Sequence, residues 1–156
     1  MRKEKKMEKS WSVKYANLTL VYAAAAMVAG VFFREFTKFS HFTGQTRLSV
    51  MHTHYFMLGM FFFFILALAQ KMLNFSDQKT GSMIVFYQIG LNITAAAFLV
   101  RGLGQVREIE WSKAMDASIS GIAGIGHILM GVSLIRILLK VRKSILQEAA
   151  DKTSKM

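Results

Sequence analysis

The stretch Ser49-Val-Met-His-Thr-His-Tyr-Phe-Met-Leu-Gly-Met-Phe-Phe-Phe-Phe-Ile-Leu-Ala-Leu-Ala69 decides the fold. It contains no Asp, Glu, Lys or Arg, and it matches the roughly 20 residues a helix needs to cross about 30 Å of hydrocarbon. In lipid, backbone N–H and C=O groups must bond to one another, so a stretch of this kind is a helix. Three others resemble it, at residues 15–33, 83–100 and 117–139. The chain divides accordingly into a basic start (1–14), a membrane domain (15–140, with spans 15–33, 49–69, 83–100 and 117–139) and a charged tail (141–156). Short connections make successive helices antiparallel. The expected fold is all-α, a four-helix transmembrane bundle running up-down-up-down.

Composition agrees. Of 156 residues, 53% are hydrophobic and none is Pro or Cys; mean hydropathy is +0.35. Without cysteine, disulfides, thiolate metal sites, cysteine nucleophiles and c-type haem attachment are excluded. The first span has a basic start and Ala23-Ala24-Ala25, as a signal peptide does, but its apolar run continues to Phe33. That is too long for a signal-peptide core, so it reads as a retained span.

The net charge of +11 does not indicate nucleic acid, because the basic residues fall just outside the apolar blocks, where they set topology and meet anionic lipid headgroups. Of the 20 Lys and Arg, 14 lie in the N-terminal segment, the 70–82 connection and the C-terminal region; six lie in the other two connections. The positive-inside rule then places both termini in the cytoplasm, in a cell-membrane protein. The expected partners are the lipid bilayer and a membrane redox partner or a second copy of the chain, with no nucleic acid.

Ionisable side chains inside a span are costly and usually face the bundle interior. Three histidines fall inside spans: His52, His54 and His127. Histidines can also serve as hydrogen-bonding links between helices, but the surroundings of His127 suggest more. In Ser120-Gly-Ile-Ala-Gly124-Ile-Gly-His127-Ile-Leu-Met-Gly131, Ser120, Ala123, Gly124 and Gly131 lie within about 60° of His127 around a helix. A histidine set in a side-chain-free strip is what a flat ligand requires, and haem b is the expected cofactor. Close helix packing through small residues is the simpler explanation of such a strip.

The opposite ligand is expected on the second span. His52 and His54 differ by about 200° and cannot both face one site. Gly59, about 20° from His52, clears the same face and puts His52 first; depth in the membrane favours His54, which stays open. Arg34, Arg47 and Arg101 are candidates for pairing with propionates, or are interface charges that snorkel to water. The site set is therefore His52, His54 and His127 as metal ligands, with Gly59, Gly124, Gly131, Arg34, Arg47 and Arg101 around the cofactor. Copper is the alternative, since Met51, Met57, Met60 and Met130 accompany the histidines and thioether with imidazole suits Cu(I). A cofactor-free scaffold of a membrane complex is the third reading. No catalytic residue is nominated.

Two resemblances are carried by these residues. Phe33-Arg-Glu-Phe-Thr-Lys38, Phe42-Thr-Gly-Gln-Thr-Arg-Leu-Ser-Val-Met-His-Thr-His54 and Met115-Asp-Ala-Ser-Ile-Ser-Gly-Ile-Ala-Gly-Ile-Gly-His127 resemble the signature segments of a small bacterial family of four-span membrane proteins catalogued as a domain of unknown function. Over a shorter reach, Arg47-Leu-Ser-Val-Met-His52-Thr53 is similar to the start of the haem-bearing second helix in subunit I of haem–copper oxidases, especially the cbb3 type. That resemblance implies a low-spin haem ligand at His52. With four spans, one histidine on the last and no second metal cluster, the likeness extends to holding haem and not to reducing oxygen. Together these readings imply electron transfer, haem or redox sensing, or haem handling.

Overall fold

The computed structural model describes residues 2–154, with side chains from Ser10 to Ser154. Four helices run through the described residues: α1 (Arg2–Phe39), α2 (Leu48–Leu73), α3 (Gln78–Val106) and α4 (Lys113–Thr153). Each is long and apolar enough to cross a membrane. The helices overrun the apolar blocks that announce them. α4 has 41 residues, about 60 Å at 1.5 Å per residue, so its charged continuation beyond Lys140 is helical to Thr153. The side chains of the basic residues at positions 2–9 and Lys155 lie outside the described residues.

The helix ends come from local chemistry. α1 and α3 close in Schellman-type turns. His41 (φ 50°) and Glu108 (φ 53°) take the left-handed position, and Phe42 N donates to Thr37 O (3.0 Å) and Ile109 N to Gly104 O (2.9 Å). α2 ends on Asn74 at φ 44°. At the start of α3, Asp77 and Thr80 cap each other reciprocally, Thr80 N donating to Asp77 Oδ1 at 2.8 Å. Ser112 caps α4 through Met115 N.

Cross-links at the two ends fix the topology. Tyr15 Oη and Ser76 Oγ are 2.6 Å apart, and Lys140 Nζ donates to Asp77 Oδ2 at 2.6 Å, so early α1, the α2–α3 turn and late α4 share one end. At the other end, Thr46 Oγ1 donates to Gly102 O (3.0 Å) and Arg101 Nη2 to Asp116 Oδ1 (2.7 Å). The bundle is thus up-down-up-down. α1 packs along α2 and α3 along α4, with α2 joining the two pairs. Between α1 and α2 an aromatic core forms, where Tyr22 stacks on Phe63 at 5.5 Å and 12°. Between α3 and α4 the backbones touch at Gly90 and Gly126.

Outside this core the surface is inverted relative to that of a water-soluble bundle. Leu20, Val28 and Ile128 are each 69% exposed. Apolar area on that scale marks contact with lipid.

α2 is not a uniform α-helix. Tyr55–Phe61 is a π-helical turn, in which Phe62 N reaches back five residues to Met57 O. It begins at the residue after His54.

Candidate cofactor site between the second and fourth helices

The structure brings His54 and His127 together. Their ring centroids are 6.2 Å apart with planes at 89°. Phe98 of α3 completes the cluster, 4.8 Å from His54 and 6.1 Å from His127. Edge-to-face rings at this spacing are ordinary aromatic packing. The same spacing suits two imidazoles on one metal ion, whose ring centres stand about 6 Å apart when each metal–nitrogen bond is about 2.0 Å.

The hydrogen bonds of the two rings match. His54 Nδ1 is 3.0 Å from Val50 O, and His127 Nδ1 is 2.8 Å from Ala123 O. A carbonyl can only accept, so each Nδ1 carries the proton and donates one turn back along its own helix. In the neutral ring this leaves Nε2 as the acceptor nitrogen, the arrangement a second-sphere hydrogen bond gives a metal-binding histidine.

His127 is exposed and sits at one end of an open groove of about 340 Å³, lined by Ala97, Phe98, Ser120, Ala123 and Gly124, with Arg47 and Arg101 among its walls. Arg101 is held from one side: its Nη2 donates to Asp116 O (3.0 Å), Asp116 Oδ1 (2.7 Å) and Ser120 Oγ (2.8 Å). A Cβ at Gly124 would meet nothing within 4 Å. The helix therefore presents bare backbone at Gly124 on the histidine's side, with Arg47 and Arg101 at the end of the groove away from His127.

Other expected site residues lie elsewhere. His52 turns toward α1, stacked on Phe33 at 6.4 Å and 11° with its ring against Gly30; its buried Nδ1 has no hydrogen-bond partner. Gly59 faces α1 as well, where a Cβ would fall 2.6 Å from the Tyr22 ring. Gly131 is open but does not line the groove. Arg34 is 79% exposed beside Glu35, away from the groove. Of the methionines, Met51 packs with Ala29 and Ala95, Met130 is buried in the main core, and Met57 is 59% exposed; none lines the groove.

Sequence reading missed Phe98, although it lies one turn before Arg101 on α3 and so on the same face. The span expected at 117–139 begins just after Asp116, whereas the first turn of α4 includes Asp116 and holds it against Arg101. Among the described residues, no group of three or more His, Asp or Glu is placed to hold a metal ion. A two-imidazole set suits a metal that brings its own equatorial ligands.

Fold and surface define a four-span helical membrane protein in which His127 lines a groove and His54 packs beside it. The chain belongs to the family described as "Protein of unknown function (DUF2871)", which matches residues 13–144. No curated protein and no solved structure matches it.

Proposed function

We propose that this chain is a membrane haem b protein in which His127 of α4 and His54 of α2 would hold the haem, and that it carries electrons. The observation behind this reading is the His54–His127 pair, with both rings bonded through Nδ1 to a backbone carbonyl of their own helix. The oxidase-like segment implies His52 instead, but His52 packs against α1, leaving His54 the better-supported ligand. Haem held by these two histidines would supply a one-electron couple, the chemistry of electron transfer. Sensing and haem handling would use the same ligands.

The residues divide the work. Gly124 and Ala123 admit a flat group against the α4 backbone, and Phe98 walls it from α3. Arg47 and Arg101 offer charge-assisted hydrogen bonds to carboxylates at the groove mouth. With the basic ends of the bundle facing the cytoplasm, this groove lies in the outer half of the membrane.

The test is the absorption of detergent-purified protein from haem-replete cells. A Soret band, α and β bands that sharpen on reduction, and one haem per chain by pyridine haemochrome are expected. Colourless protein with no extractable haem would contradict the proposal.

A further inference from the structure

The π-turn directly after His54 has its own partner on another helix. A π-turn shifts hydrogen bonding from i−4 to i−5 and leaves carbonyls poorly satisfied. Leu58 O, inside the turn, accepts from Tyr87 Oη of α3 at 2.7 Å. Tyr87 is fully buried, and its ring lies 4.6 Å from Phe62 and 5.9 Å from Phe63, the two residues next along α2 after the turn. On the other side, Gly59 lets the turn press against Tyr22. The turn is therefore gripped by α1 and α3, and its unwinding sets how the outer third of α2 is rotated relative to the rest.

We infer that Tyr87 is a positioning residue for the His54–His127 pair: by holding Leu58 O it keeps the π-turn, which directs His54 toward α4 and His52 toward α1. A regular helix in its place would rotate the histidine-bearing segment by roughly one residue's worth, about 100°, and take His54 out of line with His127. This deepens the haem reading, because it identifies what orients the proposed ligand. The positioning of His54 by Tyr87 does not itself require the cofactor.

Two readouts separate the positioning role from the haem reading, both on the full chain. The first is NMR of 15N-histidine-labelled protein without haem. Tyr87→Phe removes only the hydroxyl and keeps the ring packing, and it should shift the His54 side-chain resonances and weaken the His54–His127 contact seen by NOE. Tyr15→Phe removes a comparable hydroxyl contact, to Ser76 in the α2–α3 connection, and should leave both unchanged. Deleting Met57, an exposed residue of the turn, should abolish the NOE. The second readout is the low-spin EPR signal of haem-loaded protein, which should shift or gain a high-spin fraction in Tyr87→Phe but not in Tyr15→Phe. Histidine spectra identical in Tyr87→Phe, Tyr15→Phe and the parent would overturn the positioning role. An altered NMR contact in a protein that takes up no haem would uphold that role and sink the haem reading alone.

Discussion

Gly90 and Gly126 meet backbone to backbone: a Cβ at Gly90 would lie 2.6 Å from Met130 N and 2.7 Å from Gly126 O. This contact sets the α3–α4 crossing one residue away from His127. Gly124, two residues earlier, faces open space. The glycines of one strip thus do two different jobs. Gly90→Ala and Gly126→Ala should destabilise the bundle by about 1–3 kcal/mol through overpacking, lowering the melting temperature in detergent. Gly124→Ala should leave it unchanged. Gly124→Leu should leave the haem-free fold intact and reduce haem uptake, because its side chain would enter the groove. Equal loss of stability in the Gly124 and Gly126 variants would contradict this division.

Asp77 joins three elements, capping α3 while its Oδ2 accepts from Lys140 of α4. The Lys140 hydrogen bond, followed by the Thr80 backbone N–H, holds its carboxyl well below the usual carboxylate range. The folded pKa is depressed, so this stabilisation is fully present above the unfolded value of about 3.9 and is lost as pH falls through the folded value. Asp77→Asn should melt at a lower temperature than the parent at pH 7, with the gap closing as the pH falls below about 3.9. A gap that persists undiminished in acid would assign the effect to something other than the carboxylate.

Much of the architecture is legible in the sequence, and the reasons are physical. Four apolar blocks without proline leave helices as the only way to satisfy the backbone in lipid. Helix ends are less legible, because His41, Asn74 and Glu108 adopt the left-handed turn where glycine would have announced it. In the groove, the nearness of His127, Gly124, Arg47 and Arg101 to one another is legible from spacing and charge. Which of His52 and His54 faces α4 is not: Gly59 does lie on the face of His52, as uniform α-geometry puts it, but that face packs on α1, against Gly30 and Tyr22. No residue in Tyr55–Phe61 signals a π-turn. Depth, which depends on rise and not rotation, pairs His54 with His127.

The arginines separate by position. Arg47 and Arg101 line the groove and Arg34 does not. Arg47→Ala and Arg101→Ala should each speed haem loss to an acceptor such as apomyoglobin by about tenfold, the scale of one charge-assisted hydrogen bond. Arg34→Ala should have no effect. Asp116→Asn should give a smaller acceleration, since it loosens Arg101 without removing it. Faster loss from Arg34→Ala alone would place the carboxylates elsewhere.

Orientation is tested by fusions. From the basic-residue asymmetry, a reporter after Met156 should score cytoplasmic and one inserted between Arg107 and Ser112 external. The opposite pattern would put the groove on the cytoplasmic side.

The measurement closest to the central claim is the ferric and ferrous spectrum of three histidine variants purified alongside the parent. His127→Ala and His54→Ala should each lose haem or turn it high-spin, because one strong-field ligand is gone. His52→Ala, which alters only the α1–α2 contact, should keep the low-spin bands of the parent. Low-spin spectra retained in both His54→Ala and His127→Ala would contradict the account.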